Sequence, residues 1–204
     1  WPRALNEFSS FHRSLQRELK TTLFSDNRWA LFKSRLTAFA TQVFVSLLLL
    51  FGAHVIVQKL ADLIWVGTQF QQKVTNFTMS LLVTFLRVSG SCYLLSAISD
   101  SGLFDLRGTL MLNAAYSGRL GNALQNWPLW VFGSIWLGQR LFSGQYARLP
   151  TISHSASGKG ILFFGILSGV FIFDNYVDVI ARYEVVSEQT HAIWNFLPIL
   201  IGGF

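Results

Sequence analysis

The sequence predicts an all-α, polytopic helical membrane protein with about four transmembrane helices, three to five, preceded by an amphipathic helix in the membrane interface. Three observations carry this prediction. The first is composition: 51% of the 204 residues are hydrophobic and 13% are charged, where soluble domains carry about 25% charged residues. The second is a set of apolar runs long enough to cross a bilayer. The third is Arg87, near the middle of residues 77–98, a run of about 22 residues with no other charge. A guanidinium at membrane depth costs from about 2.5 to above 10 kcal/mol. It must therefore face protein, water or a counter-charge rather than lipid.

The chain divides into a basic amphipathic segment, residues 1–35, and a transmembrane helical domain, residues 36–204. In residues 4–24, Leu5, Phe8, Phe11, His12, Leu15 and Leu19 recur at helical spacing, with Arg13, Arg17 and Lys20 mainly on the other side. The net charge of +6 is concentrated here. Arg3, Arg13, Arg17, Lys20, Arg28, Lys33 and Arg35 stand against Glu7, Glu18 and Asp26. A basic flank beside a span is drawn to anionic headgroups. Arg13, Arg17, Lys20 and Arg35 are the candidate lipid contacts. Docking on a partner subunit is the other reading of this helix; nucleic acid is not expected as a partner.

The first span is predicted over residues 36–57, flanked by Arg35 and Lys59, with His54 near its wet end. Residues 60–66, carrying Asp62 and Trp65, are too short to cross and continue the helix into the headgroups. The second span is the Arg87 segment. At its start, Asn76-Phe77-Thr78 fits a glycosylation acceptor but lies too close to the apolar run for use. Residues 99–126 form a polar connection, with a short surface helix over 110–116. The third run, residues 127–137, is short, and Pro128 suits a helix first turn. Extending it to residue 142 includes Gln139 and Arg140, giving either a short tilted span or a re-entrant segment. Residues 143–160 read as a loop and 160–180 as the fourth span. Residues 192–204 are apolar, broken by Pro198, and shorter than a span.

Arg87 has the functional reading of an intramembrane cation that binds an anion, blocks proton leak or pairs with a moving carboxylate. Its bland reading is a structural ion pair. Asp174, Asp178 and Arg182 share one helix face at i, i+4 and i+8 spacing. Asp174 is the best intrachain partner for Arg87, and Asp178 pairs naturally with Arg182. Gly165 and Gly169 offer a flat patch on which another helix can pack closely; Ser134 and Gly138 are a weaker version. The single cysteine, Cys92, has no partner for an intrachain disulfide and reads as a small packing residue. The four histidines show no metal-ligand spacing, so neither a metal nor a cofactor is expected. No phosphate-binding loop or nucleophile motif occurs, and the protein is not expected to be an enzyme.

Two short stretches resemble known families. Thr84-Phe85-Leu86-Arg87-Val88 resembles the proton-channel helix of rotary ATP synthase subunit a, which implies an essential arginine in a long apolar helix. The match spans those five residues; where that family has asparagine four positions on, this chain has Ser91, and Leu95 and Ser96 follow. Arg119-Leu120-Gly121-Asn122 and Asp174-Asn175 resemble the peroxin-11 family of membrane-shaping proteins. Neither stretch identifies a family.

The sequence reading is therefore a non-catalytic integral membrane subunit of a large complex, with the mitochondrial inner membrane (respiratory or ATP synthase assembly) as its expected place. Its expected partners are other membrane subunits and anionic lipids. The alternatives are a proton or ion pathway using Arg87 with Asp174, and a protein that shapes membranes.

Overall fold

The computed structural model describes residues 2–23, 25–64, 69–104, 112, 113, 115, 126–142, 154–183 and 187–202. Its helices are α1 (Pro2–Leu23), α2 (Asp26–Ile64), α3 (Gln69–Asp100), α4 (Trp127–Phe142), α5 (His154–Tyr183) and α6 (Glu188–Gly202). Among the described residues there is no strand. Within the connection after α3, Leu112, Asn113 and Ala115 are helical and Ala115 is buried. Trp65, Asp105, Arg107 and Arg119 lie outside the described residues.

Among the described residues, three stretches are long and apolar enough to cross a membrane: Asp26–Leu60, Val74–Asp100 and Gly158–Ala181. The 16 residues of α4 and the 15 of α6 rise about 24 and 22 Å, short of the roughly 30 Å hydrocarbon core. Helix α2 runs unbroken through Arg35 and on to Ile64.

Local chemistry sets the helix ends. The Ser25 carbonyl accepts from the Arg28 and Trp29 N–H groups and opens α2. The Asn126 carbonyl accepts from Trp130 N–H as α4 begins, the role of an N-cap residue. At α6 the Ser187 side chain accepts from Thr190 N–H. Helix α3 stops at Gly102, whose φ of +80° is a left-handed conformation open to glycine at little cost. The Ser101 hydroxyl closes this turn, donating to the Ile98 carbonyl and accepting from Leu103 N–H.

Helices α2 and α3 form an antiparallel pair. Small residues let their backbones approach: Ser46 and Ala53 on α2, Gly90 and Ala97 on α3, are all buried. A Cβ at Gly90 would lie 2.9 Å from Leu49 Cβ and 3.0 Å from the Ser46 carbonyl oxygen. At one end, Arg35 Nη1 donates to the Asp100 carbonyl at 2.8 Å. From Arg35 to Lys59 and from Asp100 back to Asn76, each helix rises about 36 Å, so their polar ends reach the same two levels.

Helix α4 packs on α3 and separates it from most of α5. It is antiparallel to α5: Trp127 meets Tyr176, Trp130 stacks on Phe171 at 4.2 Å, and Phe142 meets Phe164. Gly160 admits the Phe142 ring where any side chain would collide with it. Helix α1 closes the other end. Ala4 and Phe11 join Val177, Ile180 and Trp194 in a buried cluster, with Phe8 edge-on to Trp194 at 5.6 Å.

Candidate functional site

Helices α2, α3 and α4 line an open cavity of about 410 Å³. Its polar lining is His54 and Gln58 from α2, Asn76, Ser80, Thr84 and Arg87 from α3, and Trp136, Gln139 and Arg140 from α4. Val57, Met79 and Val83 supply its apolar wall. Two arginines and, among the described residues, no acidic side chain line the space.

The α3 contribution follows from helical spacing. Asn76, Ser80, Thr84 and Arg87 lie at i, i+4, i+8 and i+11 and fall on one face. Outward-facing Phe77, Leu81 and Phe85 occupy another. From Asn76 to Arg87 the helix rises about 16 Å. Side chains on a helix lean toward its amino end, so Arg87 leans toward the Asn76 level.

That level is held by α4. Arg140 Nη2 donates to the Asn76 carbonyl at 2.9 Å and to the Ser80 hydroxyl. Trp136 Nε1 donates to the same hydroxyl at 3.0 Å. The Arg140 guanidinium also lies 5.6 Å from the centre of the Phe77 ring, within cation–π range. Arg87, by contrast, is half-buried and makes no hydrogen bond or ion pair among the described residues.

Asp174, expected as the partner of Arg87, lies elsewhere. Asp174 and Asp178 are on α5, and no ion pair joins Asp174 to Arg87. Helix α4 lies between α3 and most of α5, which keeps the pair apart. Asp178 instead faces His191 of α6, with Nε2 to Oδ1 at 3.5 Å. The Arg182 side chain lies outside the described residues.

The glycine patch faces away from the rest of the described chain. Gly165 and Gly169 are exposed, and a Cβ at either would meet nothing within 4 Å. The close approaches within the chain occur at Gly90 and Gly160, while Ser134 and Gly138 are buried in α4 contacts. Cys92 is held by Asn126, whose Nδ2 lies 3.3 Å from Sγ.

The basic residues of α1 are exposed: Arg13, bonded to Ser9, then Arg17 and Lys20. Arg35 is tied to α3 as described. Around Glu7 the chain builds a polar seal between α1 and α6. Arg3 pairs with Glu7 at 3.1 Å and the Ser187 hydroxyl lies 3.4 Å from the same oxygen. The Thr190 hydroxyl, and then Arg3 and Ser187, hold the Glu7 carboxyl below its ordinary range against partial burial. One turn on, His12 Nδ1 donates to the Phe8 carbonyl at 3.0 Å, and Nε2 is hydrogen-bonded to the Tyr176 hydroxyl at 2.9 Å.

Arg140 was legible only as a snorkelling end of the third run. Its place beside Asn76 depends on how α3 and α4 pair, which no local pattern encodes. Among the described residues no group of histidine, cysteine and carboxylate side chains is arranged to hold a metal.

The described residues define an all-helical protein with three helices of membrane-crossing length, compatible with a membrane protein, and a cavity lined by two arginines between α2, α3 and α4. Compared with known families, curated proteins and solved structures, the chain matches none.

Proposed function

We propose that this protein is a non-catalytic integral membrane subunit of a multi-subunit complex, working through helix–helix and lipid contacts. One observation carries the reading. Leu162, Gly165, Ile166 and Gly169 lie at i, i+3, i+4 and i+7 on α5, and all are exposed. They form a flat strip between two apolar knobs that no part of the described chain covers. In lipid, where burial gives helices no hydrophobic gain, small residues are what let helices associate closely. A neighbouring membrane helix is the occupant that such a strip suits.

The exposed Arg13, Arg17 and Lys20 of α1 suit an anionic membrane surface. We assign α1 to that interface, and the mitochondrial inner membrane as the particular membrane.

Gentle detergent extraction followed by native mass analysis tests the proposal. The expected result is a discrete assembly containing other subunits. Replacing Gly165 and Gly169 together by Ile is expected to reduce the assembled fraction by about tenfold, equivalent to roughly 1.4 kcal/mol. Melting of the extracted chain should be unchanged. A stable monomer as the sole species would refute the reading. A homo-oligomer alone that reshapes vesicles would favour a membrane-shaping role instead.

A further inference from the structure

We infer that the cavity between α2, α3 and α4 is a binding site for a phosphate group, with the headgroup of an anionic phospholipid as its source. This inference does not depend on the subunit reading.

Charge comes first. Arg87 and Arg140 reach one space from two helices, and among the described residues that space has no acidic lining. Arg87 has no hydrogen-bond or ion-pair partner among the described residues. A guanidinium presents N–H groups in a planar fork that matches phosphate oxygens two at a time. A cation in this position is stabilised by an anion that comes from outside the chain.

Shape and depth point the same way. The volume of about 410 Å³ lies within the range of small-molecule sites. Arg140 is bonded to Asn76 at one end of the lining. Arg87 lies about 16 Å along α3 from Asn76 by helix rise, and its lean toward the amino end of α3 brings the guanidinium back toward Arg140. Gln58, Gln139 and Thr84 offer donors for the remaining headgroup oxygens. Val57, Met79 and Val83 offer an apolar wall for the start of an acyl chain. On α3 the described lining runs from Asn76 to Arg87.

The test uses the full chain, extracted and stripped of lipid in a neutral detergent. It is titrated separately with phosphatidylglycerol, phosphatidylcholine and inorganic phosphate, and bound species are counted by native mass spectrometry. Phosphatidylglycerol is expected to bind at least about tenfold more tightly than phosphatidylcholine. Arg87→Gln with Arg140→Gln is expected to erase that preference, while Arg13→Gln with Arg17→Gln keeps it. Tight binding of inorganic phosphate with no preference between the lipids would keep the phosphate site and reassign its source to a soluble anion. Equal binding of both lipids with no uptake of phosphate would overturn the proposal. Should the double variant fail to fold, the wild-type selectivity still decides. Arg87→Lys, which keeps the charge without the fork, should then weaken the preference without removing it.

Discussion

Glu7 shows how a single ionisable group ties α1 to the rest of the chain. Thr190, Arg3 and Ser187 favour its ionised form and lower its pKa. A group with a depressed folded pKa contributes stability above its ordinary value and loses it as pH falls through the folded one. Docking of α1 is therefore expected to weaken on acidification below the ordinary carboxylate range. A spin-label pair on Ser10→Cys and Gln189→Cys, in a Cys92→Ser background, reads this as a lengthening distance. Glu7→Gln should flatten the response; an unchanged acid response in that variant would assign it to another group. Phe11, 3% exposed among Ala4, Val177, Ile180 and Trp194, makes the apolar half of the same contact. Phe11→Ala is expected to cost about 3 kcal/mol or more by leaving a cavity, and to broaden the same distance at neutral pH. A narrow, unshifted distance would show that the polar seal alone holds α1.

At the scale of elements, two pairs of glycines separate folding from association. A side chain at Gly90 meets Leu49 Cβ and the Ser46 carbonyl, neither of them a flexible tip. Gly90→Leu is thus expected to cost about 1–3 kcal/mol, seen as a lower melting temperature in detergent. Gly165→Ile meets open space and should leave that temperature in place. A matching loss in both variants would mean that α5 packs differently from the arrangement described. Local sequence made much of this visible. The Arg87 run predicts α3 because its apolar length is set by the bilayer. The run at 127–137 predicts a helix too short for an ordinary span, as α4 is. The choice between Gly90 and Gly165 as the packing glycine was hidden. Four-residue spacing shows that a face is flat, not which helix covers it. Gly90, alone in its helix, had no repeat to reveal it.

Across the whole molecule, the order of packing decides which charges meet. Helix α3 touches α2 and α4, and α4 touches α5. Asp174 therefore stays with α5, near Asp178, while Arg140 comes to the α3 face that carries Arg87. Sequence spacing alone predicts Asp174 as the partner because it reads charges along helices and not the layer between them. The contact of His12 with Tyr176 was equally out of reach, since the two belong to opposite ends of the chain. The resulting architecture places two kinds of residue side by side on α3. Thr84 lines the cavity, while Phe85, 65% exposed, faces outward from the same turn. Single cysteines at these two positions, again in a Cys92→Ser background, compare them directly in membrane vesicles. A membrane-impermeant maleimide is expected to label Thr84→Cys from the side that labels Asn76→Cys, and to leave Phe85→Cys unmodified. Equal and rapid labelling of Phe85→Cys would contradict the account, because that face would then be meeting water instead of lipid or a neighbouring helix.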